Sequence, residues 1–242
     1  MFKPRLGKMT EIEVAQVLKQ LGNPKHLKIL DLCCGEGRHS IVFSRKGHEV
    51  AGLDYSNNFL KVARAQAIQS KASIRFVKGD MKKTSQYFSK ESFDLVTSLY
   101  NSFGYFDKRS DDIKTIKEVN KILKTGGYFI INTINGEGAK LRLAKPLHSG
   151  YELSKNFFML DHAYLDLKKM RTYAKWTIID ARKKKTTIFK REFGQNVYTH
   201  QQLKSILKKN GFKIVKTWGL LKGEVFDEKK SWHQTILAQK VK

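Results

Sequence analysis

Four short apolar runs, Ile29–Leu32, Val50–Leu53, Ile74–Val77 and Phe93–Leu99, recur along the first hundred residues, and the first three end on glycine or aspartate. Stretches with helical spacing lie between and after them. Ser40 to Lys46 reads as a helix stopped by Gly47. Ser56 caps a second helix carrying Phe59, Leu60, Val62, Ala63, Ala67 and Ile68. A third, from about Asp111 to Lys124, sets Ile113, Ile116, Val119, Ile122 and Leu123 on one side. Gly126-Gly127 ends it, and Tyr128–Asn132 follows as a fifth strand. Short, largely apolar runs of this kind are the mark of buried strands, and strand–helix alternation predicts a doubly wound α/β sheet with right-handed crossovers. A ligand is expected beyond the carboxyl ends of its strands.

Ahead of this repeat, Thr10-Glu11-Ile12-Glu13 reads as a capping box opening a helix with Ile12, Val14, Val17, Leu18 and Leu21 on one side. Gly22-Asn23-Pro24 closes it. The rhythm changes after Thr133. Phe157–Leu160, Met170–Ile179 and Thr186–Phe193 are short alternating runs broken by turns, which predicts antiparallel strands. The earlier pattern then resumes with a helix over Thr199–Lys209 and strands at Phe212–Trp218 and Gln234–Gln239. The expected organisation is one core, residues 1–136 and 198–242, with residues 137–197 inserted as an antiparallel β lid. No internal repeat or low-complexity stretch interrupts it.

With 40 % hydrophobic and 11 % aromatic residues the chain can fill a core, which excludes the disordered and fibrous classes. No apolar run approaches the ~20 residues of a membrane span. Met1-Phe2-Lys3-Pro4-Arg5-Leu6 has no signal core, so a cytoplasmic location is expected. Cys33 and Cys34 are adjacent, which rules out a disulfide between them, and no metal site is expected around them. The formal charge is +25, from 47 basic and 22 acidic residues, with 37 Lys against 10 Arg. The excess leans to the second half and includes the run Arg182-Lys183-Lys184-Lys185. Scattered lysine favours a solvated surface over nucleic-acid contact, where arginine's bidentate fork is the usual choice.

The sharpest chemistry lies in Ile29-Leu-Asp31-Leu-Cys33-Cys34-Gly35-Glu-Gly37-Arg38. A strand here delivers an acidic side chain and a glycine turn to a helix start, where backbone can approach a ligand closely and anions are favoured. Seventeen residues after Gly37, Asp54 ends the next strand, placed to accept from both hydroxyls of a ribose. This suits a nucleoside-containing cofactor. The dinucleotide pattern G-x-G-x-x-G/A is broken by Ser40 at its third small position, and no Walker lysine is present.

In these segments the sequence resembles the class I S-adenosylmethionine (SAM) dependent methyltransferases, over nearly the whole chain. Asp31–Gly37 is similar to the first family motif, with Cys33 where many members have glycine. Val50–Ser56 is similar to the second, Phe76–Met81 to the third, Phe93–Tyr105 to the fourth, and Val119–Gly127 to the turn into strand five. The resemblance implies a Rossmann-like seven-stranded sheet with an antiparallel lid after strand five. It implies SAM as cofactor, S-adenosylhomocysteine as product, and a site made by Asp31, Cys33, Cys34, Gly35, Gly37, Arg38, Asp54, Tyr55, Asp80, Met81 and Leu99. Within it, Asp54 would hold the ribose and Asp80 the adenine amine, with Met81 on the ring. Gly35 and Arg38 would lie at the SAM carboxylate, although a basic residue at a helix start needs no ligand.

The methyl would point to the Leu99–Tyr105 loop, where Tyr100, Asn101 and Tyr105 could orient an acceptor. That loop lacks the Asn/Asp-Pro-Pro-aromatic signature of base N-methylation and resembles small-molecule enzymes, including those acting on amino sugars. Arg171–Asp180, Tyr198–Leu203 and Asn210–Phe212 share that likeness. His162 is a candidate base, weighed against an ordinary strand histidine. Trp176 and Tyr173 read as core, with strand alternation turning one inward. The expected function is methyl transfer to an oxygen or nitrogen of a small molecule. The alternatives are an RNA methyltransferase using the basic surface and a non-catalytic SAM-binding module. A homodimer through the inserted strands is a further expectation.

Overall fold

The computed structural model describes residues 7–182 and 185–241, so Met1–Leu6 and the middle of the basic run, Lys183-Lys184, lie outside the described residues. Strands β1 (Lys28–Leu32), β2 (Glu49–Asp54), β3 (Ile74–Lys78), β4 (Phe93–Ser98) and β5 (Leu123–Ile134) form one parallel array. Helices α1 (Lys8–Gln20), α2 (Arg38–Arg45), α3 (Asn57–Gln69) and α4 (Arg109–Ile122) pack around it. After the lid, α6 (His200–Lys209), β10 (Phe212–Trp218) and β11 (His233–Lys240) complete the sheet. Its order is β10-β11-β5-β4-β1-β2-β3, with β11 antiparallel to both neighbours. This is the expected Rossmann-like seven-stranded sheet. The chain winds outward from β1 in both directions, so the switch in strand order falls between β1 and β4, where such sheets bind ligands.

Alternation within the strands loads both faces. Leu30, Leu32, Val96 and Phe129 join one buried cluster, while Ile29, Leu95 and Ile130 join the other with Val14, Val17 and Phe43 from the helices. Burying one such side chain fully contributes about 1.5–3 kcal/mol. Ser56 caps α3 by accepting from Phe59 N at 3.3 Å. Thr199 and Gln202 form a capping box at α6. Among the described residues no helix is long and apolar enough to cross a membrane.

The structure corrects several local expectations. Thr10-Glu11-Ile12-Glu13 is not a capping box: α1 begins two residues earlier, with Gly7 as its N-cap. Thr10 and Glu13 are buried, while Ile12 stands 43 % exposed. On α3, Phe59 and Ile68 face outward rather than into the core. Helix α4 stops at Ile122, and Leu123 already pairs with Phe93, so the glycines at 126 and 127 lie within β5.

The lid is an antiparallel sheet, β6 (Leu147–Ser154), β7 (Phe157–Asp166), β8 (Arg171–Asp180) and β9 (Thr187–Asn196), in sequence order. Helix α5 (Gly136–Arg142) leads into it. Neither α5 nor β6 was anticipated. Seven residues are too few to show a helical period, and every residue of β6 is exposed, so it has no inward face to mark. The chain leaves β5 at Asn135 and returns at Tyr198, and these two residues form a β-bridge. Polar contacts pin the lid's root. Arg171 Nη1 donates to Phe106 O at 2.6 Å and to Asn196 Oδ1 at 2.8 Å. Asn196 Nδ2 donates to Asp112 Oδ2 at 2.8 Å.

Candidate active site

The turn after β1 places Cys33, Gly35 and Gly37 in the left-handed region, with φ of 60°, 56° and 79°. Glycine adopts this freely, whereas Cys33 does so at a steric cost. At Gly37 a Cβ would meet Phe76 Cζ at 3.0 Å and Ala63 Cβ at 3.1 Å, so the turn also depends on close packing of α2. Asp54 at the end of β2 ties this turn down. Its Oδ2 accepts from Gly35 N and its Oδ1 from Ser56 N, both at 2.8 Å. The carboxylate is thereby fixed in orientation with acceptor capacity left on each oxygen.

Asp31 is almost fully buried and accepts from Ser40 Oγ at 2.6 Å and Thr97 Oγ1 at 3.2 Å. Burial pushes its pKa up, against the pull of His39 and these hydroxyls. Asp80, after β3, caps the short 3₁₀ turn Met81–Gln86 by accepting from Lys82 N at 2.9 Å. The Cys33 thiol reaches Met81 Sδ at 3.4 Å. Burial drives both cysteine thiols well above their ordinary pKa, so neither is a nucleophile at neutral pH.

These strand ends open on one cavity of about 960 Å³, within the range of small-molecule sites. Asp31, Cys33, Cys34, Gly35, Arg38 and Asp54 line it, and Tyr55, Asp80, Met81 and Leu99 continue the wall. Gly37 lies outside the lining and serves as the N-cap of α2. Tyr55, 77 % exposed, and Phe59 form an aromatic lip.

Arg38 is held from three directions. Its Nη1 donates to Thr10 Oγ1 at 2.9 Å and to Glu13 Oε2 at 2.6 Å. Its guanidinium lies 4.7 Å from the centre of the Tyr100 ring. Glu13 Oε2 also bonds His39 Nε2 at 2.9 Å. Burial alone would raise Glu13, but the His39 hydrogen bond and the Arg38 charge outweigh it and hold the carboxyl below its usual range. Among the described residues, the buried Arg38 Nη2 has no acceptor.

Tyr100, Tyr105, Ser102 and Phe106 line the far end of the cavity, and Trp176 reaches it from β8 of the lid. Trp176 packs edge-on against Phe193 at 4.7 Å, and Phe193 lies 6.3 Å from Tyr105. Strand alternation does turn Trp176 inward, while Tyr173 stacks on Tyr164 on the opposite face. Trp176 is nevertheless a cavity wall rather than core.

Two candidates fall elsewhere. Asn101 is not part of the lining; its Oδ1 meets His233 Nδ1 at 3.2 Å. Burial and the Arg142 charge lower His233 to about 4. His162 is likewise outside this cavity, stacked on His148 at 4.4 Å beside a separate concavity of the lid. Sequence reasoning missed Glu13 and Thr10 as partners of Arg38. It also missed Lys82, whose Nζ sits 3.2 Å from Asp111 Oδ2 and 4.6 Å from the centre of the Phe106 ring.

Residues 29–127 match the model of a methyltransferase domain family. The demethylmenaquinone methyltransferase of Lactococcus lactis subsp. lactis is 36 % identical over 118 residues, 47 % of this chain and 44 % of that protein. The chain spans less than half the length of the curated relatives it matches. An S-adenosylmethionine-dependent methyltransferase from Clostridium acetobutylicum superposes with a TM-score of 0.83 at 17 % identity, over 96 % of this chain and 92 % of that one. CalS10, an amino pentose methyltransferase from Micromonospora echinaspora, gives 0.69 at 18 % identity, over 97 % and 93 %.

Proposed function

We propose that this chain, whose residues 29–127 are a methyltransferase domain on the SAM-dependent methyltransferase fold, methylates a nitrogen or oxygen of a small molecule. The observation that carries this reading is the charge of the cavity. In a chain of net charge +25, it is lined by Asp31, Glu36, Asp54 and Asp80 against Arg38 and Lys82. An acid-rich cavity with one available guanidinium fits a ligand with sulfonium and ammonium charges and a single carboxylate. When bound, SAM supplies a methyl group activated on a sulfonium.

The chain's own residues supply the grip. Asp54, oriented by Gly35 and Ser56, accepts from the ribose hydroxyls, and Asp80 accepts from the adenine amine. Arg38 faces the carboxylate. Tyr100, Tyr105 and Trp176 surround the acceptor, so the chain's contribution is to hold the nucleophile in line and exclude water. The imidazole of His39 is tied to Glu13, which points to an acceptor whose lone pair is already free on binding. A small-molecule acceptor is supported by the amino pentose and demethylmenaquinone enzymes this chain resembles, and by the aromatic side chains Tyr100, Tyr105, Phe106 and Trp176 in the cavity's lining.

Titration calorimetry with SAM and S-adenosylhomocysteine tests the cofactor. Methyl-labelled SAM in a fractionated cell extract tests the acceptor. Binding, with label in the small-molecule fraction, is the expected result. Label in RNA would transfer the function to a nucleic-acid acceptor, and absence of binding would end the reading.

A further inference from the structure

Glu13 lies on α1, outside every segment that makes the floor of the cavity, yet it is 7 % exposed and bonded to a residue that lines it. Its two contacts run in one direction: Oε2 takes Nη1 of Arg38 and Nε2 of His39, the first two residues of α2. A bridge whose only task was to fasten α1 to α2 would be expected to use the whole guanidinium, which has five donors in a fixed fork. Among the described residues, Nη1 has two acceptors, Thr10 and Glu13, while the buried Nη2 has none. Buried donors without partners are few in folded proteins, and each calls for an explanation.

The charges around the cavity supply one. Of the two cations that line it among the described residues, Lys82 is committed to Asp111 and to the face of Phe106, so Arg38 is the one with donor capacity to spare. An arginine side chain has many rotamers, and a free one would lose much of its value to a ligand by having to be ordered. Thr10, Glu13 and the Tyr100 ring do that ordering beforehand. We propose that Glu13 is a positioning residue, which fixes the Arg38 guanidinium so that Nη2 meets the carboxylate of bound SAM. This rests on the reading of the cavity as a SAM site.

The test compares two probes, SAM and decarboxylated SAM, which share the nucleoside and the sulfonium and differ in the group that Nη2 would meet. Calorimetry on the wild-type chain should show preference for SAM. Glu13→Gln should weaken SAM by about tenfold, in line with impairing one charge-assisted hydrogen bond, and leave decarboxylated SAM within about twofold. In an Arg38→Ala background the same substitution should change neither. Where Glu13→Gln does not fold, Glu13→Asp, which stops short of Nη1 but keeps a charge near His39, should give the same selective loss.

Equal weakening of both probes would overturn the proposal, because Glu13 would then only dock α1. Unchanged or tighter SAM binding would overturn it too, the latter because Glu13 would compete with the ligand. A wild-type chain that binds both probes equally removes the Nη2 contact itself. A wild-type chain that binds neither is a different failure, that of the SAM site.

Discussion

The Tyr198 hydroxyl donates to Asp112 Oδ2 at 2.7 Å, joining α4 to the point where the lid returns to the core. Both residues are buried, and Asn196 donates to the same oxygen. Burial raises Asp112 against the pull of these donors, and burial beside Asp112 drives the Tyr198 hydroxyl far above its ordinary pKa. The lid is therefore fastened by directional bonds in a buried site, where removing one partner exposes the cost of the other.

Tyr198→Phe should lower stability by about 1–3 kcal/mol, since Asp112 Oδ2 loses a donor in a site where water does not replace it. Urea unfolding measures this directly. A loss below about 0.5 kcal/mol would mean that water enters and takes the hydroxyl's place.

Glu13 makes stability depend on pH in a definite sense. Its folded pKa lies below the ordinary 4.5, so the stabilisation is present above that value and is lost as pH falls through the folded pKa. The melting temperature of Glu13→Gln should lie below wild type at pH 7, and the gap should narrow in acid. A gap that stays constant down to pH 3 would rule out an ionised Glu13 as its source.

Gly104 carries a close backbone approach between the aromatic loop and the lid. Its φ is +103°, Asn196 N donates to its carbonyl at 2.7 Å, and a Cβ there would lie 2.5 Å from Asn196 O. Gly104→Ala should cost about 1–3 kcal/mol by overpacking against backbone that cannot rotate away. It should raise KM for the acceptor while SAM affinity stays within about threefold, since the loop moves but the strand ends do not. Steady-state kinetics and calorimetry together separate the two effects.

Trp176 and His162 both line the lid's own concavity, but only Trp176 also lines the large cavity, so their alanine variants should part company. Trp176→Ala should raise the acceptor's KM about tenfold, corresponding to ~1.4 kcal/mol of lost aromatic contact. His162→Ala should leave kcat within about twofold, because its ring stacks on His148 away from the cavity. Loss of turnover in His162→Ala would place that imidazole at the reacting atoms after all.

The sheet was readable because β1, β2 and β4 are buried on both faces, and because β1, β2 and β3 lead into the Gly35 turn, Asp54 and Gly79-Asp80. Local chemistry was readable at Ser56, where the capping oxygen and its partner lie within three residues, whereas Thr199, expected inside its helix, is the N-cap of α6. The same signature misled at Thr10-Glu11-Ile12-Glu13, because there the two polar side chains bond across space to Arg38, 25 residues beyond Glu13. Side-chain direction in the aromatic loop was also beyond sequence. Tyr100 and Asn101 both adopt positive φ, 58° and 61°, which sends one ring along Arg38 and the other side chain toward His233. Strand β6 has no buried face, so it carried no period to detect.

The bridge between Asn135 and Tyr198, with Gly136 N donating to Tyr198 O at 2.9 Å, sets the lid's exit and return side by side. A segment attached through two adjacent points can be lengthened, shortened or exchanged without shifting the register of β5 or β11. Selection can thus rework the lid as a cassette, while the strand-end aspartates stay in place. New cavity linings become reachable by small steps from one scaffold, with the turn that Asp54 ties down inherited intact.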